Sequence, residues 1–372
     1  VAKGRRRAPD AKAAAVYTRF VPIPSPAPAT SPATTLRAAL LSLAVAAAGG
    51  GLAHLAGLPA AWLAGSAITV SAAAIAGWRV GLPTRLRDVV FVLLGVSMGS
   101  GVTPESLERA VHWPISLAVL VVFVAAVIAA AFLFFRRVSG WDRESAFFAS
   151  IPGALSYVLA LAVTSRADIR KVATAQSIRV FCLVAVLPIF ISSVQEVGAP
   201  RLPPVGSPLE IVVLIAMCAV AGLVAARLKV PAGLLTGAFF ASAAAHGSGL
   251  VASSLPWWLT IPSFVVLGVV IGSRFTGTTP RLLVALAAAS LGGLAVSFAV
   301  SVVAALVVVA LTEATLGQAL LAYAPGGLEA MIALSLLLGI DPAFVATHQL
   351  ARFILIALTL PLAARLARLD RP

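Results

Sequence analysis

Read for hydrophobic and polar positions, the chain beyond residue 35 is a succession of apolar runs broken by proline, glycine and charge. The runs fall at 36–56, 59–76, 89–101, 114–135, 145–164 and 172–191, and six more follow at 209–226, 231–245, 259–272, 282–311, 316–338 and 342–364. A helical crossing of a bilayer takes about 20 apolar residues, and most of these runs are near or above that length. Both sets run in one order: long, medium, short and glycine-rich, long, broken at Pro-Gly, then long with polar residues inside. The pattern predicts an all-α polytopic membrane protein with on the order of ten to twelve helical passes, at about 25–30 residues per pass with its connection.

The recurrence is an internal repeat. At a shift of 173, Ile151-Pro152-Gly153-Ala154-Leu155 lies on Ala324-Pro325-Gly326-Gly327-Leu328, and Val172 to Arg179 lies on Val345 to Arg352. Asp168 falls on Asp341, Pro188 on Pro361, and Leu94-Gly95 with Gly99 on Leu267-Gly268 with Gly272. Pro59-Ala60 pairs with Pro231-Ala232 at a shift of 172. A near-constant shift over so many positions marks a duplication, which divides the chain into a tail at 1–35, a first membrane repeat at 36–200 and a second at 201–372.

Composition agrees and narrows the class. The 372 residues are 60% hydrophobic and 11% charged, with a mean hydropathy of +1.05, whereas soluble domains carry roughly a quarter of their residues charged. A soluble enzyme, a soluble DNA-binding domain and a disordered tail are excluded for the bulk of the chain. The net charge of +14 is not a nucleic-acid signature, because seven of the 27 basic residues lie in the first 37 positions and most others flank apolar runs. Cys182 and Cys218 both sit inside apolar runs, which leaves no disulfide framework.

The basic, Pro-rich tail reads as disordered and retained in the cytoplasm, since no short apolar stretch is closely followed by a small-residue cleavage site. With the tail inside, charge counting puts Arg79, Arg85, Arg87, Arg136, Arg137 and Arg143 inside and leaves Arg109 and Arg201 as the outside bases. Arg166, Arg170 and Lys171 stay inside only if the first Pro-Gly segment is a re-entrant hairpin, and the second copy then runs opposite to the first. The expectation is an inner-membrane protein with both termini cytoplasmic and two inverted repeats, each of about five spans and one re-entrant segment. Full crossing by the broken segments would instead give six spans per copy and parallel repeats.

A duplicated apolar chain carrying Pro325-Gly326-Gly327-Leu328-Glu329, then Asp341, His348-Gln349 and Arg352, resembles the bacterial AbrB-type membrane protein family over nearly all residues after the tail. Members of that family are labelled regulators of gene expression or ammonia monooxygenases, and neither label is a mechanism. The first copy departs from the motif, with Ala154 for the second glycine and Ser156 for the glutamate. A copper monooxygenase needs clustered imidazoles, whereas His54, His112, His246 and His348 are scattered with no pair at i, i+4. DNA contact needs a basic face on a soluble domain, so no nucleic acid is expected, nor a metal or cofactor.

Candidate chemistry lies where backbone is interrupted at membrane depth, which lipid tolerates only if the break is buried or lines a polar cavity. Pro152-Gly153 and Pro325-Gly326-Gly327 break corresponding segments, a pointer to a transporter's binding site, and half-helices starting after them would aim free N–H groups at an anion. Gln176 with Arg179, and Gln349 with Arg352, share a helix face at i, i+3, and His348 joins the second pair at i, i+4. The two arginines either cap carbonyls freed by the breaks or grip an anionic substrate. Glu329 is either the partner of one arginine or a protonatable group that couples transport to a proton gradient.

Gly95 with Gly99 and Gly268 with Gly272 form GxxxG pairs for close helix packing. Asp168 and Asp341 suit N-caps, and Trp257-Trp258 an interfacial belt. Together these features predict a secondary transporter or channel for a small polar or anionic organic solute rather than an enzyme. A membrane-embedded regulator is the rival and a membrane monooxygenase the third reading. The partners expected are the lipid bilayer and the solute, with a homo-oligomer left open.

Overall fold

The computed structural model describes residues 32–153, 155–198 and 202–369. The tail expected at 1–35 lies outside the described residues except for its last four positions, as does Arg201 from the charge count. Among the described residues the fold is helical, with one isolated bridge between Val205 and Ser254 and no strand.

The first half contains α1 (Pro32–Leu55), α2 (Ala61–Ile75), α3 (Thr84–Gly99), the short α4 (Pro104–Glu108), α5 (Trp113–Leu133), α6 (Arg143–Ser150), α7 (Leu155–Ala162) and α8 (Ile169–Val194). The second contains α9 (Pro208–Arg227), α10 (Gly233–Gly247), α11 (Trp257–Gly272), α12 (Pro280–Leu311), α13 (Leu316–Tyr323), α14 (Leu328–Leu337) and α15 (Pro342–Leu369). Helix bounds correspond between the halves: α2 and α10 start and end 172 positions apart, and α3 with α11, and α6 with α13, start and end 173 apart. Even local strain corresponds, because α2 and α10 each start after an alanine in the left-handed region, Ala60 at φ 51° and Ala232 at φ 47°.

Polar residues define several starts. Asp142 accepts from Ser145 N, Asp168 from Arg170 N and Lys171 N, and Asp341 from Ala343 N, which offsets amides that have no partner inside a helix. Ser207 with Glu210 and Thr315 with Gln318 form full capping boxes. Trp257 and Trp258 open α11 with their rings exposed.

Seven helices among the described residues are long and apolar enough to cross a membrane, those of α1, α5 with its flanking turns, α8, α9, α11, α12 and α15. The chain is thus an all-α polytopic membrane protein. Of the ten spans expected, α2, α3 and α10 have only 15 or 16 residues, short of about 20. These helices pack on other helices, α3 on α10 and α2 on α11, and half or more of each is buried. The GxxxG glycines permit both contacts. A Cβ built on Gly95 would lie 2.6 Å from Ala238 Cβ, and one on Gly99 2.5 Å from Ser242 Cβ. Across the molecule, a Cβ on Gly268 would lie 2.5 Å from Ser66 Cβ, and one on Gly272 2.7 Å from Val70 Cβ.

The segments broken at Pro-Gly are helical hairpins. Glu144 Oε2 accepts from Arg166 N at 2.5 Å and Ser145 Oγ from Asp168 N at 2.7 Å, so α6 begins beside the loop by which α7 leaves. In the second hairpin, Gln318 in the first turn of α13 and Asp341 just before α15 line one small cavity. Arg109, His112 and Trp113 at the start of α5 line it too, whereas the far end of α5 leads through Phe134–Val138 toward α6. The open ends of the hairpins therefore lie at opposite ends of the 21-residue α5, about 30 Å apart at the helical rise. Their tips meet between: a Cβ built on Gly153, itself at φ +96°, would lie 3.5 Å from Gly326 O.

Candidate functional site

Each hairpin tip leaves carbonyls at the end of its first half-helix without a donor four residues on, because proline and glycine stop the helix there. Gln176 and Arg179, two turns into α8, reach the first tip: Gln176 Nε2 donates to Phe148 O (3.1 Å) and Ile151 O (3.2 Å). Arg179 donates from Nη1 to Ala149 O (3.4 Å) and from Nη2 to Ile151 O (2.8 Å) and Gln176 Oε1 (2.7 Å).

The second tip is held the same way. Gln349 Nε2 donates to Leu321 O (2.7 Å), Ala322 O and Ala324 O (both 3.3 Å). Arg352 donates to Ala324 O, to Gly326 O (2.8 Å) and to Gln349 Oε1 (2.6 Å). Both arginines are buried. Of the two roles open to them, carbonyl capping accounts for their Nη atoms, and the anticipated grip on a solute is not what these donors do in this geometry.

His348 does not join Arg352 at the tip, although the two share a face of α15. Its Nδ1 donates to Phe344 O at 2.8 Å, so in the neutral ring Nε2 is the acceptor facing Ser116 Oγ at 2.8 Å. Tyr323 donates to Ser116 O, and the Phe344 ring lies 4.1 Å from the imidazole and 5.8 Å from the Trp113 ring. This buried cluster stands between the second tip and the small cavity at the start of α5, whose volume is about 40 Å³.

A larger cavity of about 480 Å³ opens on the other side of the tips. Of the expected site residues, Gly153, Gln176, Gly327 and Glu329 line it, whereas Pro152, Pro325, Gly326, Arg179, His348, Gln349 and Arg352 do not. Leu155 and Leu328 at the starts of α7 and α14 line it from the two hairpins, and Val180 and Phe353 from α8 and α15. The Glu329 carboxylate curls back over the break, so that a Cβ on Gly327 would meet Glu329 Oε2 at 3.3 Å.

Arg274, one turn past α11, also lines this cavity. Its guanidinium has no hydrogen bond among the described residues, and Glu329 is the opposite charge that acts on it. No Lys or Arg among the described residues lies within 4.0 Å of either carboxylate oxygen of Glu329, whereas Arg87 on the cavity rim is paired with Asp88 at 2.8 Å. Sequence reasoning passed over Arg274 as one more base at a helix end. The signal was in the repeat: Arg274 stands where the first copy has Gly101, just as Glu329 stands where it has Ser156.

Comparison with known proteins adds a family and two relatives. The family described as transition state regulatory protein AbrB matches residues 62–368. The uncharacterized protein YhjN of Bacillus subtilis (strain 168) is 29% identical over 355 residues, covering 86% of this chain and 90% of YhjN. A protein of Escherichia coli (strain K12), AbrB, named as a candidate regulator, is 29% identical over 327 residues, covering 83% of this chain and 90% of its own.

Proposed function

Because the chain belongs to the AbrB family, whose name supplies no mechanism, we propose from the site itself that it is a secondary transporter or channel for a small polar or anionic organic solute. The observation that carries the reading is the 480 Å³ cavity at the meeting point of two interrupted helical hairpins, with the unpaired Arg274 and Glu329 on its wall. That volume falls within the roughly 300–1,000 Å³ of small-molecule sites. Discontinuous helices meeting near the middle of a bundle are how transporter folds build a binding site, with half-helix N-termini turned toward charged groups of the substrate.

The halves act as inverted repeats, with hairpins re-entering from opposite faces. Supporting this are the matched helix bounds, the tip-to-tip approach at Gly153 and Gly326, and hairpin mouths at opposite ends of α5. Access is one-sided. Where Arg274 borders the large cavity, its counterpart Gly101 is closed over by Leu336 and Pro342, whose side chains would lie 2.8 Å and 3.1 Å from a Cβ there. By the bias of basic residues the large cavity, rimmed by Arg87 and Arg274, faces the cytoplasm, and the small one, beside Glu313 and Asp341, faces outward. The Trp113, Ser116, Tyr323, Phe344 and His348 cluster is then the outer closure.

The test is uptake into proteoliposomes of a panel of small carboxylic acids, amino acids and neutral solutes, with Arg274→Gln beside the unaltered protein. Uptake of a panel member that Arg274→Gln abolishes, while the variant keeps its melting temperature, is the expected result. A folded protein that moves nothing would overturn the reading and direct attention to a regulatory partner.

A further inference from the structure

Two of the charges that break the internal symmetry face one cavity. Arg274 replaces a glycine and Glu329 a serine of the first copy, each on a different hairpin or helix, and both side chains line the same 480 Å³ space without meeting. Together they add no net charge to the symmetric framework; they add a positive pole and a negative pole. A site built for a simple anion gains nothing from an unpaired carboxylate on its wall, which repels the ligand and loses hydration without repayment.

The other two guanidinium groups near the tips have their Nη donors engaged within the protein. Arg179 and Arg352 have their Nη donors on carbonyls at the C-terminal ends of α6 and α13, where the helix dipole is negative and opposes their charge. Glu329 lies in the first turn of α14, where the positive dipole end of the helix favours a negative charge. Most of the remaining wall is apolar, with Phe91, Val180, Val270, Leu328 and Phe353, beside the polar groups of Arg87, Tyr157 and Gln176.

Resting on the transporter reading above, we infer that the substrate is a small zwitterion of the amino-acid class, whose carboxylate accepts from Arg274, whose ammonium donates to Glu329, and whose side chain is apolar. A ligand with both poles satisfies both charges at once. A carboxylic acid lacking the amine leaves Glu329 unpaired, and an amine lacking the carboxylate leaves Arg274 unpaired. A site that hydrogen-bonds a ligand group discriminates strongly against the analogue without it, since the buried partner is then stranded.

The experiment compares three matched solutes in proteoliposomes: phenylalanine, its deaminated acid and its decarboxylated amine, each also tested by the shift it produces in thermal unfolding of the purified protein. The expected result is that phenylalanine is taken up and bound at least about tenfold better than either analogue, one lost charge-assisted hydrogen bond being about that factor. Glu329→Gln should erase the preference over the deaminated acid, and Glu329→Ser, which restores the first copy's residue, should do the same if the glutamine variant is poorly folded. Equal or better uptake of the deaminated acid, driven by an inward proton gradient that Glu329→Gln uncouples, would overturn the inference and make Glu329 a proton carrier, leaving transport intact. Failure of all three solutes while only panel members lacking one of the two charges move would also overturn it, whereas failure of every solute would overturn the transport reading.

Discussion

Replacing Arg352 by methionine separates a cap from a ligand contact, because methionine keeps much of the side-chain bulk and removes every donor. In the intact protein the guanidinium serves Ala324 O, Gly326 O and Gln349 Oε1. After the change Ala324 O keeps Gln349 Nε2 at 3.3 Å, so Gly326 O and Gln349 Oε1 are the acceptors left stranded. Each such buried acceptor costs roughly 1–3 kcal/mol, and the relief of burying one charge fewer offsets part of this. A net loss of about 3 kcal/mol follows, or a fall of about 4 °C in apparent melting temperature. Arg179→Met should cost about half as much, because one of its bonds is already 3.4 Å long and Ile151 O keeps Gln176 Nε2 at 3.2 Å. Arg352→Lys should fall between, since a point-like ammonium cannot bridge two carbonyls as a planar fork does. The assay is thermal unfolding in detergent with no solute present. If Arg352→Met melted with the unaltered protein yet lost uptake, the guanidinium would be a substrate group and the capping argument would fail.

Gly268→Ala should destabilise by about 1–3 kcal/mol, the usual cost of overpacking, because its new methyl would lie 2.5 Å from Ser66 Cβ. Gly51→Ala, whose nearest neighbour would be Trp62 Cη2 at 4.0 Å, should be neutral or slightly stabilising; equal melting temperatures for the two would refute close packing as the reason for glycine. Gly153→Ala should lower stability whatever the space around it, because φ is +96° there, and a variant as stable as the parent would contradict the backbone geometry. With Cys182 and Cys218 replaced by alanine, a cysteine at Val270 on the cavity wall should react with a membrane-impermeant maleimide from one side only. Adding Tyr323→Ala and His348→Ala should open it to the other side, and labelling from both sides with that cluster intact would dismiss it as a closure.

What the chain reveals without its fold is governed by how local each feature is. Helix bounds, the Pro-Gly breaks and the glycine pairs follow from neighbours in sequence. The short helices α2, α3 and α10 are less legible, because hydropathy does not distinguish an apolar helix in lipid from one enclosed by other helices. The role of Arg179 and Arg352 is illegible for a different reason: a glutamine three residues before an arginine suits a carbonyl cap and an anion grip equally. Only the positions of Ala149 O, Ile151 O, Ala324 O and Gly326 O decide between them.

Arg274 is the instructive case, since nothing near it in sequence marks it, and it shares a cavity wall with Glu329 only through the fold. On the proposed reading of the chain as a duplicated framework, each half serves as a reference for what the other would be under structural demands alone. Positions that agree, such as Gln176 with Gln349 and Arg179 with Arg352, do the shared work of holding two tips. Charges present in one copy alone are not needed to hold a tip, because the other copy's tip is held without them. Arg274 and Glu329 are two such charges, and that they converge on one cavity is the reason to seek the ligand there rather than at the conspicuous symmetric arginines.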